Sequence, residues 1–231
     1  MNFIVRYSPE LDLQTYLLLM WKNNWVDDGN RKKENFYRWA PKEFVDNLGA
    51  AKDKKTAENI VKQYWKTTFP PSFKKDNKFI IDWFGRLLNE EKDLIIKRLE
   101  KAYKKPFPFD EITVYLTTCF GCPYYYEQRY FFIGRNYNFF GILNTARHEL
   151  NHFMFHYYFE DYVKEKLVSR ENIHFLKEAL AILTSNKKTE NEGRKAQILK
   201  IEDFVKQNKD LPIKKIIDLV IANNFFADNK S

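Results

Sequence analysis

Apolar and polar positions change rhythm twice along this chain. Over residues 10–110 the apolar residues recur mainly at helical spacing, interrupted by turn-forming residues. Helices are predicted over 11–25, after Pro41, which suits a first helical turn, and over 56–66. The run Phe69-Pro70-Pro71-Ser72 breaks the pattern, and two more helices are expected over 78–88 and 90–104. The period then shortens. Residues 111–118 are β-branched and roughly alternating, and 128–134 are rich in aromatic and branched residues, so both predict strands.

Helical spacing returns over 140–166 and continues in segments 172–185, 192–207 and 213–226, with a polar loop at 186–193. The expected class is therefore α+β, with a small sheet ahead of a long helix and extra helices at both ends. Three regions are read along the chain: a mainly helical 1–110, a core at 111–190 and C-terminal helices at 191–231, together making one compact unit. Neither internal repeats nor low-complexity tracts occur.

Within 140–166 the sequence His148-Glu149-Leu150-Asn151-His152 has the form HExxH. At about 3.6 residues per turn the two imidazoles share one face, a spacing that lets both grip one metal ion, with Glu149 beside them as a candidate general base. Placing residues about 100° apart puts Thr145, Glu149, His152 and His156 near His148. Leu143, Ala146, Leu150, Phe153, Met154 and Tyr157 gather on the opposite side. The helix is thus expected to turn its histidines toward a cleft and its apolar stripe toward a core. All four histidines of the chain lie between positions 148 and 174, which core histidines scattered by chance would not do.

A tetrahedral zinc with two histidines and a water needs one more protein ligand. A metzincin would require glycine where Phe155 stands and histidine where Tyr158 stands, so that class is excluded. Glu178 is the favoured donor, with His174 the rival ligand or an orienting partner and His156 a residue lining the cleft. In the segment Glu178-Ala179-Leu180-Ala181 the chain resembles the gluzincins, HExxH zinc peptidases whose third ligand is a glutamate on a following helix. The resemblance spans roughly 111–185, including the order strand, strand, helix, helix. It implies a compact, minigluzincin-like zincin core and a metallopeptidase activity using one Zn2+ per chain. It also implies that Glu149 acts as base and that a strand before the helix, here 130–134, binds a peptide or protein substrate. The ImmA/IrrE group of regulatory proteases also resembles this chain in HExxH and a downstream acid, although no helix-turn-helix is recognisable. A noncatalytic binding protein on the same scaffold is the alternative from another class. Tyr157, Tyr158 and Tyr162 are candidates for stabilising a developing oxyanion, as is a later arginine such as Arg194.

Composition adds little to this picture. The net charge of +8 comes from dispersed lysines and acids, which admits nucleic-acid binding without indicating it. No signal peptide and no membrane-spanning apolar run is recognised, so a cytoplasmic protein is expected. Cys119-Phe120-Gly121-Cys122-Pro123 could hold a metal or cycle as a dithiol, but Gly and Pro favour a hairpin turn joining the two strands.

Overall fold

The computed structural model describes residues 1–21, 36–37, 39–69, 73–119, 121–167, 169–185 and 196–226. Their order is β1 (Asn2–Arg6), α1 (Pro9–Met20), α2 (Lys42–Gly49), α3 (Lys54–Thr68), α4 (Phe73–Tyr103), β2 (Glu111–Thr117), β3 (Tyr124–Tyr125), β4 (Tyr130–Gly134), α5 (Phe139–Lys166), α6 (Arg170–Leu180), a 3-10 turn (Ala181–Leu183), α7 (Ala196–Gln207) and α8 (Ile213–Ala222). The class is mixed α+β, as expected. The predicted loop at 186–193, the first residues of the predicted helix 192–207, Arg194, the end of the predicted helix 11–25 and the Pro70-Pro71-Ser72 break lie outside the described residues. No described helix is long and apolar enough to cross a membrane.

Two compact units interleave along the chain. One contains the sheet, α1 to α3 and α4 as far as Glu90. Its strands follow the order β1-β2-β4-β3, with β1 and β4 parallel to β2 and only β3 antiparallel to β4. This differs from the expected hairpin. After β2 the chain enters the short β3, which runs antiparallel to β4, and the β3–β4 turn makes the hairpin instead. Cys119 and Cys122 form no disulfide. Nor is β4 a bare edge, because β2 flanks one side and β3 covers the other at Tyr130 and Phe131. Phe3, Ile112, Val114, Leu116, Phe131 and Ile133 alternate onto one buried face of the sheet.

Two polar side chains pin this unit. Asn89 stands within α4, where separate helices over 78–88 and 90–104 were expected. Nothing breaks the helix there: the Asn89 amide donates to Gly85 O and to Phe3 O and accepts from the Phe3 N–H, so it ties β1 to an unbroken helix. Asp12 of α1 is fully buried and accepts from Thr117 Oγ1 at 2.6 Å, Thr118 Oγ1 at 2.7 Å, Thr118 N at 3.0 Å and the Tyr7 hydroxyl at 3.1 Å. Burial pushes the Asp12 carboxyl upward while these donors oppose the shift. A further core gathers Leu19, Met20, Phe44, Leu48 and Val61 of α1 to α3, with Tyr64 stacked on Phe44.

The second unit is helical and comprises residues 91–110 and α5 to α8. Its core draws Ile95 and Leu99 from α4, Leu150 and Met154 from α5, Leu176 and Leu180 from α6, Ile201 from α7 and Ile217 from α8. Ser8 and Ser169 cap α1 and α6 by accepting the N–H groups of Leu11 and Asn172.

Replacing Asp12 by Ala strands its buried donors, at a cost of about 1–3 kcal/mol for each group left unsatisfied. We expect faster hydrogen exchange at Thr118 and its β2 neighbours and a lower urea midpoint. Unchanged protection of those amides would show that Asp12 does not hold α1 to β2.

Candidate metal centre

All of the residues that converge here belong to the helical unit. α5 brings His148 and His152 to one face, as the four-residue spacing requires, and α6 sets Glu178 opposite them. The two Nε2 atoms lie 3.0 Å apart. Glu178 Oε1 is 3.2 Å from His152 Nε2, and Oε2 is 3.4 Å from His148 Nε2. Three ligand atoms, one from each side chain, fall within 4.8 Å of one another, so the triad could hold a metal ion.

The triad stands on a largely buried face of α5. His148, Glu149 and His152 are 8 %, 6 % and 1 % exposed, and α5 is buried on both its apolar and its polar side from Thr145 to Phe155. Burial drives the His152 imidazole well below the ordinary histidine value of 6.5, against the attraction of Glu178. Burial also opposes ionisation of Glu178, but the adjoining His152 and His148 outweigh it and hold the carboxyl well below its usual range. A neutral imidazole and an ionised carboxylate are the forms that donate to a metal.

The remaining candidates stand elsewhere. His174 Nδ1 comes within 3.8 Å of Glu178 Oε1, at the margin of the cluster, with its side chain 36 % exposed. His156 lies one turn beyond His152 and pairs with Glu160 at 2.6 Å, and Glu160 in turn pairs with Lys164 at 3.1 Å. Tyr157 is half exposed and rests edge-on against Phe109, while the Tyr158 hydroxyl donates to Pro106 O. Helical geometry turns these two tyrosines roughly 140° and 120° away from His152. Tyr162 lies about 15 Å further along the axis and donates to Asp218 of α8, with Lys166 and Lys214 over its ring. None of the three tyrosines is brought to the His148, His152 and Glu178 cluster.

Sequence reasoning missed the polar residues behind the cluster. Asn151, Tyr103 of α4 and Thr184 after the 3-10 turn are all buried, and Asn151 bonds to each of the other two. Arg147, also buried, has an Nε without a hydrogen-bond partner, and burial lowers its guanidinium pKa. Arg147 and Asn151 are one turn apart on the flank of the apolar stripe, a polar pair that the helical projection could have singled out.

No family model, no curated protein and no solved structure matches this chain.

The two shifts act in the same direction on the metal-free protein. A depressed folded-state histidine pKa makes protonation unfavourable, so stability falls as pH drops below 6.5. The stability contributed by the depressed Glu178 carboxyl is lost at still lower pH, as pH falls through its folded value. We expect the melting temperature of metal-free protein to decline from pH 7 to 5, and to decline less steeply in His152→Gln. Equal slopes for the two proteins would contradict the assigned states.

Proposed function

We propose that this chain is a zinc-dependent metallopeptidase of gluzincin type, with His148, His152 and Glu178 as the protein ligands to one zinc ion. The observation that carries the reading is the convergence of the three side chains: the two Nε2 atoms are 3.0 Å apart, the two Glu178 oxygens stand 3.2 and 3.4 Å from one imidazole each, and one donor atom from each side chain lies within 4.8 Å of the others. Bonds of about 2.0–2.1 Å to a tetrahedral centre place neighbouring donors about 3.3 Å apart, and two imidazoles with one carboxylate are a familiar catalytic zinc set that leaves a fourth position for water. Such an ion supplies Lewis acidity, polarising a substrate carbonyl and making water a nucleophile near neutral pH.

The chain's own residues supply the rest of the reaction. Glu149, next to His148 and shielded from solvent, accepts the proton of the attacking water and delivers it to the departing amine of the peptide bond. Low dielectric around a buried carboxylate strengthens that exchange. His174, close to Glu178 Oε1 but more exposed, orients the carboxylate rather than replacing it. The substrate is a peptide or protein segment.

The same low exposure of His148 and His152 also suits a second reading, a scaffold in which a buried ion serves binding and structure without turnover. Metal content and hydrolysis separate the two. We expect about one zinc per purified chain, lost in His148→Ala, and weakened by about tenfold or more in Glu178→Ala. Glu149→Gln should retain zinc while peptide hydrolysis falls at least a hundredfold, in keeping with the loss of a general base. Stoichiometric zinc without hydrolysis across a diverse peptide library favours the scaffold. Normal zinc affinity in Glu178→Ala with loss in His174→Ala would transfer the third-ligand role to His174.

A further inference from the structure

Glu178 reaches the two histidines from a different helix, so something must fix the offset between α5 and α6. Asn151 lies between His148 and His152 in sequence and is completely buried. Its Nδ2 donates to Leu180 O at 3.3 Å and to Thr184 Oγ1 at 3.1 Å, at the end of α6 and just beyond the following turn. Its Oδ1 accepts from the Tyr103 hydroxyl at 2.9 Å, and that hydroxyl also lies 3.1 Å from the Asn151 carbonyl. Thr184 Oγ1 is also within 3.4 Å of Arg147 O, immediately before His148. Both amide hydrogens and the amide oxygen of Asn151 therefore have partners, and the bonds join the histidine helix to the end of the glutamate helix.

We propose that Asn151 is a positioning residue for the metal centre, holding the end of α6 so that the Glu178 carboxylate faces His148 and His152. Leu180 is only two residues beyond Glu178 on α6, so a shift of that carbonyl carries the carboxylate with it. Asn151 itself points about 80° round α5 from the direction shared by the histidines, which makes it a brace rather than a ligand. A fully bonded buried amide specifies one arrangement, because sliding α6 along α5 would leave several buried polar groups unsatisfied at once. Tyr103 completes the brace by occupying the amide oxygen and setting the orientation of the side chain.

The assignment rests on the metal-site reading above, and its test separates the two. Cobalt affinity and the visible spectrum of the cobalt-loaded protein report the ligand set without any measure of activity. We expect Asn151→Leu, which keeps side-chain size and removes the amide, to weaken cobalt binding on the order of ten- to a hundredfold. Its spectrum should move toward that of Glu178→Ala. Combined with Glu178→Ala, it should cost little beyond the single Glu178 substitution, since both remove the same ligand. Multiplicative losses in the double variant, or a wild-type spectrum in folded Asn151→Leu, would overturn the assignment while leaving the metal site standing. If Asn151→Leu does not fold, Thr184→Val and Tyr103→Phe each remove one partner of the amide and should shift the spectrum the same way to a smaller extent. Wild-type affinity and spectrum in both would also overturn it. A wild-type chain that takes up neither cobalt nor zinc overturns this assignment and the metallopeptidase reading together.

Discussion

The arrangement of the helical unit depends on one costly condition: two imidazoles and a carboxylate are kept within about 3.4 Å of one another in a largely water-excluded place. Removing such groups from water is unfavourable unless each finds a compensating partner. The approach of Glu178 to both imidazoles meets part of that requirement directly. The other part falls to the backbone of the two helices, whose packing must be specific to within an ångström or so. Leu150, Leu176, Ala179 and Leu180 provide apolar contact area, but such contacts alone tolerate sliding. The Asn151 amide and its partners supply direction, which apolar packing lacks.

The sheet unit uses the same device with different chemistry. Asp12 joins α1 to the end of β2, and Asn89 joins α4 to β1, each through several bonds made by a single buried or half-buried polar side chain. In each case a single polar side chain makes bonds that cross from one element to another, although Asn89 also donates to Gly85 O within its own helix. Such residues determine which elements meet more sharply than the Leu and Ile positions around them.

Legibility from sequence followed the range of the interactions. HExxH could be read because a four-residue helical repeat places its own histidines, and α5 emerged within a residue of its expected start. Glu178 could be singled out through a family resemblance, whereas its approach to His148 and His152 depends on contacts with residues far away in the chain. β1 escaped notice because Asn2–Arg6 is only five residues long and ends in polar side chains, so its partner β2 is what makes it a strand. The parallel pairing of β2 with β4 was hidden for a related reason: two strands close in sequence suggest a hairpin, and only the intervening β3 takes that place. The tyrosine candidates were chosen for nearness along the helix, although the projection that groups His148 with His152 already sets Tyr157 opposite His148, turns Tyr158 well away from His152 and leaves Tyr162 nearly three turns further on.

The placement of the three donors on neighbouring helices has a further consequence. His148 and His152 sit on α5, and Glu178 follows after one turn of the chain, with α6 capped by Ser169 between them. An ion held by all three would therefore act as a reversible cross-link closing a short loop, and closing a loop restricts the unfolded chain. Occupancy would then be recorded in the mechanical coupling of α5 to α6. A chelator would remove that cross-link while the sheet, whose own pins lie at Asp12 and Asn89, kept its hydrogen-bond ladder.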